Sequence, residues 1–229
     1  MHYWLGSFCR VINNGKLYFP INVVAISDII KLEKDLGNQI PNKSWMLYLL
    51  ELFNIQNIPV ELNLICQFDN QNYFEAIFLG INRYRFKDVL PETDHSYQRI
   101  IYLDKEHNQI NFILTDQTTN KSEIFNFNIK DTNFNYKTSN QFTGIEWWNK
   151  TGSFIYPIRY QIEISQLMFG LVDKNHPESI TFFPHNVLVP NKDSSINDYP
   201  ITFRNVKSKD NCICYTISYG LCNSGLSYS

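Results

Sequence analysis

Two short segments each place a polar, chemically useful side chain among apolar neighbours. Leu62-Asn63-Leu64-Ile65-Cys66-Gln67 ends on a glutamine, and Thr143-Gly144-Ile145-Glu146-Trp147-Trp148 carries a glutamate beside two tryptophans. A glutamine amide does not titrate, but it offers two donors and one acceptor in a fixed plane. A carboxylate flanked by aromatic rings is partly shielded from water, and such shielding tunes carboxyl groups for proton transfer. The same residues also have an ordinary role, since a Glu beside Trp and a Gln at a strand end are common on exposed sheet faces.

Other chemistries lack their signatures. There is no G-x-S-x-G, H-E-x-x-H, phosphate-cradling glycine loop or EF-hand loop. The five histidines, His2, His95, His107, His176 and His185, are scattered along the chain. Cys212, Cys214 and Cys222 are close in sequence without a histidine to complete a zinc set, so no metal is expected. With five cysteines, Cys9 and Cys66 included, at least one thiol stays unpaired within the chain, and a disulfide among the last three remains open. Three N-x-S/T triplets begin at Asn42, Asn120 and Asn149. Chance matches are expected in so Asn-rich a chain.

The elements that must position Gln67 and Glu146 read as strands. Val60, Leu62, Leu64, Cys66 and Phe68 alternate with Glu61, Asn63, Ile65, Gln67 and Asp69, the period-two pattern of a strand with two different faces. Further strands are expected over Trp4–Val11, Tyr73–Ile81, Arg99–Leu103, Gln109–Thr115, Glu123–Ile129 and Phe142–Trp148. The longest alternation runs from Phe154 to Ile164, a register that a helix would scatter around its circumference. Asn13-Asn14-Gly15 is a hairpin turn signal leading into Lys16–Val24. Ser27–Leu36 is the best helix candidate, with a Ser/Asp start and Gly37 as a stop. The apolar run Trp45–Phe53 fits a buried strand or a short helix equally well. Beyond Val172 the chain is less regular, and Ile201–Val206 and Cys212–Ser218 read as edge strands. Strands about ten residues apart, separated by polar turns, argue for a sandwich or barrel.

Composition agrees. Aromatic residues make up 15% of the chain, with 17 Phe and 14 Tyr, which suits pleated, half-buried surfaces. Only 18% of residues are charged and the formal net charge is −2. No basic stripe is present to neutralise phosphates, so no nucleic-acid partner is expected. No apolar run approaches the roughly 18 residues of a membrane-spanning helix. Met1-His2-Tyr3-Trp4 lacks the basic-then-apolar layout of a secretory signal, which leaves the compartment unknown.

On these residues the sequence resembles the glutamic peptidases, or eqolisins, over roughly residues 42–169. Gly144-Ile145-Glu146-Trp147-Trp148, a polar link and Gly152-Ser153-Phe154-Ile155-Tyr156-Pro157 look like the family segment with the catalytic glutamate. Leu64-Ile65-Cys66-Gln67 and Tyr73-Phe74-Glu75-Ala76 look like the catalytic glutamine strand and the aromatic strand after it. The hairpin Ile110–Leu114 to Ile124–Phe127 is similar to the one between them, and Ser44-Trp45 stands where the family has a Ser-Trp pair. The chain departs at Phe68-Asp69, at Met46-Leu47-Tyr48-Leu49 and at Ile77-Phe78-Leu79, where the family has glycines or tryptophans.

Pattern and resemblance together lead to a single all-β domain over 1–229. It would be an antiparallel, two-sheet, concanavalin-like β-sandwich with a short N-terminal helix. Its core would span about 42–172, with an irregular C-terminal appendage over 173–229. The resemblance implies an acid-acting glutamic endopeptidase without a cofactor, acting on polypeptide in an extracellular or acidic compartment. Its catalytic pair would be Gln67 and Glu146, on neighbouring strands, and Trp45, Tyr73, Trp147 and Trp148 would contact the substrate. A non-catalytic glycan- or protein-binding module and a viral or cell-surface assembly protein are the alternatives on the same fold.

Overall fold

The computed structural model describes residues 2–18, 20, 22–32, 44–67, 72–130, 132–149, 160–172, 179–184, 187–192, 201–209 and 212–219, some of the strands by their backbone only. Among these residues every regular element is a strand. In chain order they are β1 (His2–Asn13), β2 (Lys16–Tyr18), β3 (Ala25–Leu32), β4 (Ser44–Asn54), β5 (Pro59–Gln67), β6 (Tyr73–Phe78), β7 (Asn82–Arg85) and β8 (Ser96–Asp104). There follow β9 (Gln109–Asp116), β10 (Lys121–Asn128), β11 (Thr138–Asn149), β12 (Tyr160–Val172), β13 (Ile180–Pro184), β14 (Val187–Lys192), β15 (Ile201–Lys209) and β16 (Cys212–Tyr219).

The strands form two eight-stranded antiparallel sheets. The first has the order β14-β1-β11-β4-β5-β6-β7, with β2 paired to β1; the second has the order β10-β9-β8-β3-β12-β16-β15, with β13 paired to β12. One apolar core lies between them. The first sheet contributes Met46, Tyr48, Leu50, Leu52, Val60, Leu62, Leu64, Cys66, Phe74 and Phe78, and the second Ile26, Ile30, Tyr97, Ile101, Phe112 and Leu114. The alternation expected for β5 holds: Val60, Leu62, Leu64 and Cys66 are fully buried in this core. Strands after Val172 join both sheets, β14 beside β1 and β16 beside β12.

Local chemistry explains several joints. Asn14 and Gly15 have φ of 50° and 71°, and Asn13 pairs with Lys16, which is the two-residue hairpin that an Asn-Gly turn favours. In β12 the ladder to β3 shifts between Ser165 and Met168, where Gln166 has φ 48°. This bulge changes the phase of burial, so that Ile164 and then Leu167 and Phe169 face the core. The earlier part of the long alternation, residues 154–159, lies outside the described residues.

The expected helix over Ser27–Leu36 is not formed where the chain is described. Residues 25–32 are strand β3, paired with β8 and β12, and residues 33–36 lie outside the described set. Strand pairing on both sides outweighs local helix signals. As a strand, the segment buries Ile26, Ile30 and Leu32 and aims Asp28 at a buried partner, Arg99. The ambiguous run Trp45–Phe53 is β4, central in its sheet and covered on both faces by apolar side chains.

Candidate functional site

The face of the first sheet turned away from the core carries the candidate residues. On β4 this face holds Trp45, Leu47, Leu49 and Glu51; on β5, Glu61, Asn63, Ile65 and Gln67; on β6, Tyr73, Glu75 and Ile77. Leu47, Leu49, Ile65 and Phe142 form a second, small apolar cluster there, with Trp45, Phe53 and Tyr73 packed on it. A recess of about 530 Å³ opens over it, lined by Trp45, Leu47, Glu61, Ile65, Gln67, Tyr73, Ile77, Gly80, Arg83 and Glu146. Its floor is apolar and its sides carry three carboxyl or amide groups and one guanidinium.

Gln67 and Glu146 therefore line one recess, but not from neighbouring strands. The order is β11-β4-β5, so β4 runs between them. Glu146 lies opposite Leu47 and Gln67 opposite Trp45. The expectation of adjacent strands fails because the apolar run at 45–53, buried on both faces, makes a central strand. Gln67 donates through Nε2 to the Tyr73 hydroxyl at 3.3 Å, and the guanidinium of Arg85 stacks 4.0 Å above the Tyr73 ring. Trp45 and Tyr73 are partly exposed at the recess. The backbone register sets Trp148 across from Trp45 and Trp147 across from Met46; their side chains are outside the described part of the structure.

Acidic residues crowd this face. Glu51 and Glu61 are directly opposed on β4 and β5. Desolvation, then the charges of Glu61 and Glu146, push the Glu51 carboxyl well above the usual carboxylate range. Desolvation also raises Glu61; the hydrogen bond from Asn63 opposes it and the charge of Glu146 adds to it. Asn63 donates to Glu61 at 2.7 Å. Glu75 is raised by desolvation, partly offset by Arg83, with which it pairs at 2.8 Å. The sequence reading missed Glu51, Glu61 and Arg83. Glu61 was within reach of it, since it shares strand parity with Gln67. Glu51 and Arg83 needed the register between strands.

No protein-family model matches the sequence, and no curated protein matches it. Solved structures do. Scytalidoglutamic peptidase with a peptide-based transition-state analogue superposes with a TM-score of 0.58 at 10% identity, over 94% of this chain and 97% of that one. SCP-B, a member of the eqolisin family of peptidases in complex with the tripeptide Ala-Ile-His, gives 0.53 at 9% identity over the same shares. At such identity the likeness is one of fold, and it extends along nearly the whole of both chains: this protein folds as the eqolisin peptidases do.

Proposed function

We propose that the protein is an acid-acting glutamic endopeptidase. The observation that carries the reading is that Gln67 and Glu146, remote in sequence, line the same recess on a fold shared with peptidases. In this reading ionised Glu146 takes a proton from a water molecule as its oxygen attacks the scissile carbonyl carbon. The tetrahedral intermediate then collapses, the C–N bond breaks, and Glu146 returns the proton to the leaving amine. Gln67, steadied by Tyr73, donates its amide N–H to the developing oxyanion. The apolar floor of Leu47, Ile65 and Ile77 lowers the local dielectric, which strengthens both interactions. A carboxylate base works in acid, where an imidazole would be protonated and inactive.

The test is cleavage of a denatured protein at about pH 3–4. Glu146→Gln is expected to lower kcat by about 10²–10⁴ and Gln67→Ala by about 10²–10³. Equal activity in wild type and Glu146→Gln removes the glutamate as base.

A second reading rests on the partly exposed rings of Trp45 and Tyr73 beside the recess: a non-catalytic module that binds a glycan or a peptide there. Saturable binding to such a ligand, weakened by Trp45→Ala, with no turnover at any pH, would favour it over the peptidase.

A further inference from the structure

Strands β4 and β5 are not zipped along their whole length. They pair from Trp45↔Gln67 to Tyr48↔Leu64 and again from Glu51↔Glu61 in the same register, leaving positions 49–50 and 62–63 out of the ladder. The groups freed there are met from the opposite sheet. Arg99 of β8, fully buried, donates Nη1 to the carbonyls of Tyr48 at 2.6 Å and Leu62 at 2.9 Å, and Nη2 to that of Leu49 at 3.3 Å. Its other two donors go to Asp28 of β3, Nε to Oδ1 at 2.9 Å and Nη2 to Oδ2 at 2.6 Å. All five guanidinium N–H groups are thus used. The Leu50 amide donates to Asn63 Oδ1 at 3.4 Å, and Asn63 passes the contact on to Glu61. Thr143 of β11, the strand of Glu146, donates to the Leu49 carbonyl at 3.2 Å.

Stability is a poor explanation for this arrangement. Replacing a buried ion pair with well-packed apolar residues is often neutral or stabilising. What an apolar pair cannot do is donate to three carbonyls and keep two central strands apart. We infer that Arg99 is a positioning residue for the recess: by filling the gap between β4 and β5 it holds Asn63 against Glu61 and fixes the spacing of the strands that carry Gln67 and Glu146. Only the activity part of the test below rests on the proposed peptidase function.

The groups facing Glu61 are Glu51 on β4, and Glu146 on β11, Glu75 on β6 and Arg83 on β7, with Asn63 beside it on its own strand. The Asn63 bond favours the ionised carboxyl. The experiment follows the Glu61 carboxyl by carbon NMR titration in the full chain, in wild type and in the double variant Asp28→Leu/Arg99→Met. If the gap closes and Asn63 turns to the ladder, the Glu61 titration moves to higher pH. In the same variant kcat for acid proteolysis should fall about tenfold to a hundredfold with KM little changed. Arg99→Lys, which keeps the charge but supplies only three donors, should shift Glu61 in the same direction and by less; it serves if the double variant does not fold. A Glu61 titration unmoved in a folded variant overturns the inference, whatever the activity. A moved titration in a protein without proteolytic activity upholds it while the peptidase reading falls.

Discussion

Carboxyl groups occupy two opposite kinds of surroundings in this protein. On the outer face of the first sheet, Glu51 and Glu61 face each other across β4 and β5 with Glu146 nearby, and desolvation leads in raising both. On the second sheet, Glu123 of β10 receives hydrogen bonds from Tyr84 Oη at 2.9 Å and from the backbone N–H groups of Lys87, Asp88 and Val89 at 2.7–3.2 Å. Desolvation works to raise Glu123 too, but the donors from Asp88, Lys87, Tyr84 and Val89 outweigh it and hold the carboxyl below its usual range. Asp116 behaves likewise, with Thr119, His95 and Thr118 outweighing desolvation. Burial alone therefore does not set the charge state. For Glu123 and Asp116 the converging donors outweigh desolvation, whereas for Glu51 and Glu61 desolvation and neighbouring acid charge prevail, as desolvation also does for Asp28 despite its two bonds from Arg99.

The largest effect should come from removing the Glu123 carboxylate. Glu123→Ala leaves the amides of Lys87, Asp88 and Val89 without their acceptor and is expected to cost about 3 kcal/mol of stability in urea unfolding near pH 7. A loss below about 1 kcal/mol would show that the segment after β7 is held by other contacts.

The converse change on the first sheet should be favourable. Glu51→Gln is expected to stabilise the protein by about 1 kcal/mol near pH 8 and to make no difference near pH 4. The sign follows from the direction of the shift. A carboxyl raised in the folded state contributes stability that is complete below the ordinary carboxylate range and is lost as pH rises through the folded value. Thermal melts of wild type and variant across that span should diverge upward in pH, and parallel curves would contradict the crowding of Glu51 and Glu61.

Glu123 and Asp116 give the opposite limb. Lowered in the folded state, they contribute stability that is present above the ordinary carboxylate range and lost as pH falls. Glu123→Gln should flatten this acid limb and leave the alkaline one, set by Glu51 and Glu61, in place. An unchanged acid limb would assign it to other groups. The smallest effect is expected from Tyr73→Phe, which removes the hydroxyl that accepts from Gln67. For the proposed peptidase, kcat is expected to fall about threefold to tenfold with the melting temperature unchanged, and an unaltered kcat would release Tyr73 from any part in holding the amide.

Much of this was legible in the chain. The alternation of Val60, Leu62, Leu64 and Cys66 against Glu61, Asn63, Ile65 and Gln67 separated core from recess, because side-chain direction in a strand follows from sequence parity alone. The hairpin at Asn14-Gly15 was equally local, since those two residue types tolerate positive φ. Segment 27–32 misled, because its Ser-Asp start suits a helix and its strand character comes from β8 and β12 on either side. The second sheet held an unread signal. Arg99 stands in parity with Tyr97, Ile101 and Leu103, a charge in an apolar row, which marks a buried ion looking for a partner.

The sequence by itself determined which side chains share a face of each strand, where the tight hairpin falls, and that the chain builds sheets. Those properties follow from backbone geometry over neighbouring residues. Only the tertiary structure decided that β4 lies between Gln67 and Glu146, that Glu51 meets Glu61, and that Arg99 fills a break in the ladder. Strand order and register bring together residues far apart in the chain, and they are settled by packing two sheets around one core, a choice no local pattern encodes.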